Sequence, residues 1–163
     1  MIESRALKGA SLYEQIVALE YRYARVLDED RLEVWPELFV VDGVYKVIPR
    51  ENVNLEIQLP IMFCDSRNMM MDRVRSLREA NIYNLHYPRH LITNVELLGD
   101  RDEMLEVAAC FVVYQTDMNG QTRCYSVGQY LDRIVIEQDG LKFQEKVAIC
   151  DTFSIPNLLA IPL

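Results

Sequence analysis

The 163-residue sequence lacks several features that would place it in a function class at once. It contains no glycine-rich phosphate loop, no G-x-S-x-G nucleophile motif and no dinucleotide fingerprint. No apolar run approaches the roughly 20 residues that span a bilayer, and the first residues lack the apolar stretch of a signal peptide. These absences favour a cytoplasmic protein that does not enter a membrane.

Positive charge is also scarce. The net charge is −8, which argues against a nucleic-acid partner because contacts to phosphates need a basic surface. The cysteines are far apart and form no C-x-x-C pair, so the sequence predicts buried, reduced thiols at four positions: Cys64, Cys110, Cys124 and Cys150. At this length, residues 1–163 are expected to form one domain with its own core.

Helical patterns occur in three places. Ser11 and Glu14 form a capping box that opens a helix running to about Asp28. A similar pattern at residues 30–33 predicts the start of a second, short helix, whose apolar residues are Leu32, Trp35, Leu38 and Phe39. A third helix, beginning near residue 69, has one apolar face: Met70, Val74 and Leu77.

Arg73 differs from the other arginines of the third helix. On a helical wheel it lies between Met69 and Leu77, inside the apolar face. A buried guanidinium must be paired, so the pattern predicts a carboxylate partner for Arg73, within the fold or across an interface.

Strand patterns dominate the second half. A first strand is predicted at Val44–Ile48, followed by a long polar loop over residues 49–60. Asn119-Gly120 and Asp139-Gly140 are hairpin signals, so residues 89–149 predict a four-stranded antiparallel meander. Its first strand alternates, with one side formed by Leu91, Thr93, Val95 and Leu97. Helices packed on one face of a curved sheet give an α+β fold.

The strand over residues 104–115 is apolar on both faces, with only Glu106 charged. The helices can cover one face of the sheet, so the other face is expected to meet another protein chain. The tail FSIPNLLAIPL is apolar but interrupted by prolines, and if it were exposed to water it would promote aggregation. The expected subunit-interface residues are Val107, Phe111, Leu158, Leu159 and Ile161.

Both histidines lie where the third helix gives way to the meander. His86 and His90 are spaced as helical metal ligands would be, but Pro88 between them removes the helix, and no third ligand is marked. No metal is therefore expected on this chain.

Asp28, at the end of the first helix, and His90, at the start of a strand, are expected to meet inside a cone-shaped cavity near Tyr45 or Tyr23. In one interpretation Asp28 orients His90 as a general base and the tyrosine donates a proton. In the other, Asp28 and His90 form a buried hydrogen bond that holds the helix to the sheet.

Several motifs occur in a fixed order along the chain: YRYARVLD at 21–28, MDRV at 71–74, RH at 89–90, NV at 94–95 and QEKVAICD at 144–151. Together they resemble the small (β) subunit of Rieske-type aromatic-ring-hydroxylating dioxygenases. The motifs DSR at 65–67 and AIPL at 160–163 look most like small subunits that serve aromatic carboxylates such as salicylate or anthranilate.

The resemblance implies an NTF2-like (cystatin-like) cone, with N-terminal helices packed on a strongly curved mixed or antiparallel sheet. It implies a heterohexamer of three large and three small subunits in aromatic catabolism, and a homotrimer of the small subunit alone. The Rieske [2Fe–2S] cluster and the mononuclear Fe(II) would belong to the large subunit. This chain would then carry no cofactor and no catalytic residue, and would act as a scaffold of the oxidoreductase.

The same cone also hosts stand-alone dehydratases and isomerases of the scytalone dehydratase type. In that alternative, Asp28, His90 and Tyr45 would be catalytic. It requires a deep, open cone in which solvent reaches His90.

Overall fold

A computed structural model describes residues 10–53, 59–80, 82–152 and 159–163. The helices are α1 (Leu12–Asp28) and α2 (Arg67–Glu79), with 3-10 turns at Trp35–Leu38 and Arg50–Asn52. The strands are β1 (Phe39–Pro49), β2 (Met62–Cys64), β3 (His86–Arg101), β4 (Met104–Asp117), β5 (Thr122–Glu137) and β6 (Gly140–Cys150). In this described part of the chain, no helix has the length and apolarity that crossing a membrane requires.

Helix α1 begins and ends as predicted. The Ser11 hydroxyl accepts a hydrogen bond from the Glu14 backbone N–H at 3.3 Å, and the Glu14 carboxylate accepts one from the Ser11 N–H at 2.6 Å. Both bonds satisfy amides that the first turn leaves without partners. Beyond Asp28 the chain reverses through Asp30, which has a φ of 53°. The helix thereby places Asp28 at the edge of the sheet.

The short helix predicted to open at the capping pattern of residues 30–33 forms only as the 3-10 helix Trp35–Leu38. The chain makes a turn there, and the 3-10 helix begins only at Trp35. The Asp30 and Glu33 carboxylates, instead of capping a helix, both accept hydrogen bonds from Arg78 of α2, each at a shortest distance of 2.8 Å. These bonds lower the pKa of Glu33 and tie α2 to the loop after α1.

The sheet has the strand order β2-β1-β6-β5-β4-β3. The predicted antiparallel meander is confirmed as β3 to β6, with turns at both predicted Gly-containing hairpins. Strand β1 is longer than predicted and pairs with β6 in parallel, which makes the sheet mixed. The short strand β2 pairs with β1 and follows the predicted loop. Residues 54–58 of that loop lie outside the described part.

The regular alternation predicted for β3 breaks at its centre. The pairing with β4 shifts between Thr93 and Glu96, and Asn94 adopts a φ of 53°. Such a bulge turns the following side chain to the opposite face. Val95, predicted on the side of Leu91, therefore packs against the core.

Gly128 in β5 allows the sheet to bend tightly. A Cβ at this position would lie 1.9 Å from the Ile149 carbonyl oxygen of β6 and 2.9 Å from Cζ of Phe111. We expect Gly128→Ala to lower the free energy of unfolding by at least about 1–3 kcal/mol, because backbone must move to relieve the overlap. Urea unfolding measures the loss. Gln129→Ala, at the neighbouring outward position, is the control and should change stability by under about 0.5 kcal/mol; equal effects would contradict the argument.

Candidate functional site

Asp28 and His90 meet as predicted. His90 Nδ1 lies 2.6 Å from Asp28 Oδ1, and the His90 backbone N–H donates to both carboxylate oxygens at 3.0 and 3.1 Å. Arg89 adds an ion pair at 3.6 Å. The imidazole is fully buried and the carboxylate nearly so. One carboxylate at the end of α1 thus binds both backbone and side chain of β3, which is the geometry of a helix-to-sheet tie.

Tyr45 lies inside the cone, but its hydroxyl forms hydrogen bonds with Leu163 and not with His90. The phenol hydroxyls of Tyr45 and Tyr23 both donate to a main-chain oxygen of Leu163, at 3.0 and 2.5 Å, and the Leu163 N–H donates to the Tyr45 oxygen at 2.8 Å. Burial raises the pKa of both phenols well above the ordinary value. The hydroxyl of Tyr45, predicted as a proton donor, is therefore already hydrogen-bonded to main-chain atoms of the same chain.

Residues 159–163 fill the cone. Leu159, Ala160, Ile161 and Leu163 are each less than a tenth exposed, and they pack into the main apolar core. Arg73 Nη2 donates to the Leu159 carbonyl oxygen at 2.8 Å, and the carboxylate partner predicted for Arg73 is not found in the described part of the chain. The space left between this segment and His90 is a void of about 10 Å³, which is at the lower limit for holding a single water molecule. The open cavity that a stand-alone dehydratase requires is absent from the described part of the cone.

The interface residues predicted on β4 lie elsewhere. Val107 is 1% exposed and Phe111 0%, and Phe111 stacks on Tyr130 with ring centroids 4.5 Å apart. These side chains face the helices and belong to the chain's own core, so placing them at a subunit interface is wrong. Leu159 and Ile161 are likewise buried within the chain. The sixth residue from the end, Leu158, lies outside the described part.

The apolar outer face is nevertheless present, built by the alternate residues of β4. The strand pairing aligns them with apolar side chains of neighbouring strands in two rows. The first row is Leu91, Val112 and Val127; the second is Ala108, Leu131 and Val147. Leu91, Leu131 and Val127 are 36–49% exposed. We call these six residues the outer apolar face.

A buried charged cluster was missed by the sequence analysis. Lys146 Nζ lies 2.9 Å from Glu20 and 2.7 Å from Asp132, and all three side chains are completely buried. The ammonium also lies 3.7 Å from the ring centre of Tyr130. Burial, reinforced by Glu20, raises the pKa of Asp132 well above the usual value, against the lowering effect of Lys146. The sequence did contain a sign of this cluster, because Glu20 and Lys146 are charged residues inside apolar helix and strand patterns.

The possible metal ligands do not converge. Cys64 and Cys150 are buried, and burial raises the pKa of the Cys150 thiol to about 11. Cys110 and Cys124 are exposed, contrary to the prediction, because they occupy outward positions of the sheet. Among the described residues, which include every cysteine and both histidines, no three His, Cys, Asp or Glu side chains could hold a metal. The residues fit neither a Rieske cluster nor a mononuclear iron site.

These features define a class: an α+β cone of the NTF2-like type, with a mixed six-stranded sheet over one layer of helices. Naphthalene 1,2-dioxygenase contains a chain of the same fold, at 17% identity, a TM-score of 0.76, and coverage of 93% of this chain and 86% of that one.

The chain belongs to the ring hydroxylating beta subunit family, whose pattern it matches over residues 22–157. It is 40% identical to the anthranilate 1,2-dioxygenase small subunit of Burkholderia cepacia, over 91% of this chain and 92% of that protein. It is 33% identical to a terephthalate 1,2-dioxygenase β subunit of Comamonas sp, over 91% and 97%. A β subunit assigned to an aromatic-ring-hydroxylating dioxygenase of Novosphingobium aromaticivorans matches with 40% identity and a TM-score of 0.85, covering 93% and 96%.

The predicted family and fold are thereby confirmed. The chain is the β subunit of a ring-hydroxylating dioxygenase, which is an oxidoreductase complex with a large-subunit partner. The alternative of a stand-alone dehydratase is not favoured, and the filled cone agrees with that outcome.

Proposed function

We propose that this chain is the assembly subunit of a cytoplasmic dioxygenase that hydroxylates an aromatic carboxylate. Anthranilate and terephthalate, the compounds in the names of two relatives, each carry a carboxylate on a benzene ring, which supports this substrate class. The chain acts as one domain over residues 1–163 and contributes no catalytic group. Its role is to hold the large subunits in place.

The Rieske [2Fe–2S] cluster and the mononuclear Fe(II) are assigned to the large subunit. A Rieske cluster requires two cysteines and two histidines, and the cysteines and histidines of this chain do not come together. The Asp28–His90 pair serves here as the tie between α1 and β3, because the carboxylate already accepts three hydrogen bonds.

The outer apolar face carries the proposal. When one face of a sheet lies in water, the strand residues on that face are normally polar. Here two rows of directly paired residues on the outer face are apolar, and each row crosses three strands. Covering these rows removes apolar area from water, which stabilises an assembly by about 25 cal/mol for each Å² buried. We propose that three copies of the chain associate through this face and that three large subunits bind to the trimer.

Val112→Asp and Leu131→Asp test the assembly. Each places a charge in one row of the outer apolar face, where it would be desolvated without a partner. We expect both variants to fold, by circular dichroism, and to sediment as monomers at micromolar concentration where the parent sediments as a trimer. Val41→Asp is the control, because Val41 is 70% exposed and lies outside both rows, and it should sediment like the parent.

A parent chain that sediments as a clean monomer, or variants that assemble normally, would contradict the proposed trimer. Co-expression with the large subunit then tests the division of labour. The complex should contain iron and hydroxylate members of a panel of aromatic carboxylates, whereas stoichiometric iron in the isolated small chain would contradict it.

A further inference from the structure

We propose that Asp132 holds a proton at neutral pH and donates it to Glu20, so that these two carboxyl groups and the Lys146 ammonium form a neutral, buried proton-binding site. The site joins α1 to the two central strands of the sheet, because Glu20 lies on α1, Asp132 on β5 and Lys146 on β6. It goes beyond the proposed assembly role and does not depend on it, because all three side chains are completely buried within this chain.

The charges of the cluster do not balance if both carboxyl groups are ionised. Lys146 Nζ donates to Glu20 Oε2 at 2.9 Å and to Asp132 Oδ2 at 2.7 Å. Among the described residues, Lys146 is the one cation that binds either carboxyl group. Two carboxylates and one ammonium leave a net negative charge, and a buried charge without a partner is so costly that the group takes up a proton instead. One bound proton makes the cluster neutral.

The hydrogen bonds of the cluster also leave a place for this proton. Glu20 Oε1 and Asp132 Oδ1 are both buried, and neither oxygen has a hydrogen-bond partner. An ionised carboxyl group only accepts hydrogen bonds, whereas a protonated one also donates. A proton on Asp132 therefore supplies a donor to a pair of carboxyl groups that otherwise has only the ammonium. Neighbouring carboxyl groups share one proton in this way because two negative charges in contact cannot both persist.

The groups around the cluster favour the neutral acid. Burial raises the pKa of Asp132 most, and both the charge of Glu20 and a hydrogen bond to Glu20 raise it further, against the lowering effect of Lys146. The other titratable groups nearby are three phenols and a thiol, and burial raises the pKa of each: Tyr23 on α1, Tyr45 on β1, Tyr130 on β5 and Cys150 on β6. None of the four carries a positive charge, so none can replace the proton.

The bound proton makes folding depend on pH. At pH 7 an aspartate of the unfolded chain is ionised, since its ordinary pKa is about 3.9, so the folded chain carries one proton more than the unfolded chain. The ratio of folded to unfolded protein then falls by a factor of about ten for each pH unit, until the pH passes the folded pKa of Asp132. The proton is thus a ligand that holds α1 on the sheet, and alkaline conditions weaken this contact.

Asp132→Asn tests the bound proton, because asparagine is neutral and has nearly the shape of aspartic acid. When the pH is raised from 7 to 8, the folded-to-unfolded ratio of the parent should fall by a factor about ten times larger than that of the variant. Urea unfolding at one fixed protein concentration measures both ratios. The histidines and cysteines are the same in the two proteins, so the difference reports Asp132. Equal pH dependence of the two proteins would overturn the proposal.

Glu145→Gln is the matched control. Glu145 also pairs with a lysine, because its carboxylate lies 2.8 Å from Lys46 Nζ, but it is the one carboxylate of that pair and a quarter of its side chain is exposed. No shared proton is needed there, so Glu145→Gln should keep the pH dependence of the parent. A Glu145→Gln variant that loses this dependence as Asp132→Asn does would place the effect outside the buried cluster and overturn the proposal.

A measurement on the unaltered chain keeps the proposal testable if Asp132→Asn does not fold. Exposed carboxyl groups are ionised at pH 7, so the carbonyl stretching band of a protonated carboxylic acid in the infrared spectrum reports a buried one. We expect this band in the folded chain, shifted when the aspartates carry ¹³C in the side-chain carboxyl group, and lost on thermal unfolding. A folded chain without the band, or a band that the aspartate label does not shift, would overturn the proposal.

Discussion

Lys146→Met is expected to lower the free energy of unfolding by about 3–5 kcal/mol at neutral pH, the usual cost of removing one partner from a buried ion pair. The variant leaves the Glu20 and Asp132 carboxylates fully buried with no cation between them. Methionine has nearly the shape of lysine, so the loss reflects charge more than volume. Urea unfolding followed by Trp35 fluorescence measures it.

The pH dependence of the same cluster has a definite sign. Burial raises the pKa of Asp132 above its unfolded value of about 3.9, so the folded state holds the proton more tightly than the unfolded chain. The contribution to stability is full below the unfolded pKa and is lost as the pH rises through the folded pKa. Lys146→Met, which removes the one lowering charge, should therefore recover part of its lost stability at pH 5.

Lys142→Met is the matched control. Lys142 also lies on β6 and also binds two carboxylates, Glu137 and Asp139, at 3.2 and 3.1 Å, but these are solvent-exposed. We expect a loss of about 0–1 kcal/mol. Equal losses for the two lysine variants, or a Lys146→Met variant insensitive to pH, would mean that the buried cluster does not contribute as described.

Phe111→Asp is expected to yield no folded protein. It removes an aromatic ring from the core, which costs about 3–5 kcal/mol, and it buries a charge without a partner in addition. Together the two losses equal much or all of the free energy of unfolding of a domain, which is roughly 5–15 kcal/mol. Val107→Asp should behave in the same way, because Val107 is 1% exposed in the same core.

The neighbouring position gives the comparison. Val112 points to the other side of β4, so Val112→Asp should retain a native circular dichroism spectrum, whereas Phe111→Asp should lack one. Circular dichroism of the two variants, expressed in parallel, decides between them. A well-folded Phe111→Asp variant would contradict the assignment of this side chain to the core.

Local patterns predicted much of the fold. The capping box at Ser11 and Glu14, the end of α1 at Asp28 and the hairpins at Gly120 and Gly140 were all confirmed, because each depends on residues within a few positions of one another. The parallel pairing of β1 with β6 was not predicted, since nothing in either strand encodes a partner some hundred residues away. The bulge at Asn94 was also missed. The alternation of apolar and polar residues in the sequence continues through this position, so the pattern gives no sign that the backbone leaves the regular strand geometry there.

The inward and outward sides of β4 could not be assigned from the pattern. Both sets of side chains are apolar, so alternation does not distinguish the core from the surface, and Val107 and Phe111 were placed on the wrong side. The Asp28–His90 contact was predicted, but its role depended on a distant segment. Only the position of Leu163 against Tyr23 and Tyr45 separates a filled cone from an open one.

The parallel pair of β1 and β6 also bears on how the molecule forms during translation. β1 precedes β3, β4 and β5 along the chain, yet its parallel neighbour β6 follows all three. Because distant segments must find each other before the sheet closes, folding is expected to be slow and to wait until β6 has been made. Until β6 is in place, β1 has an unpaired edge, which makes the chain prone to aggregation during that interval.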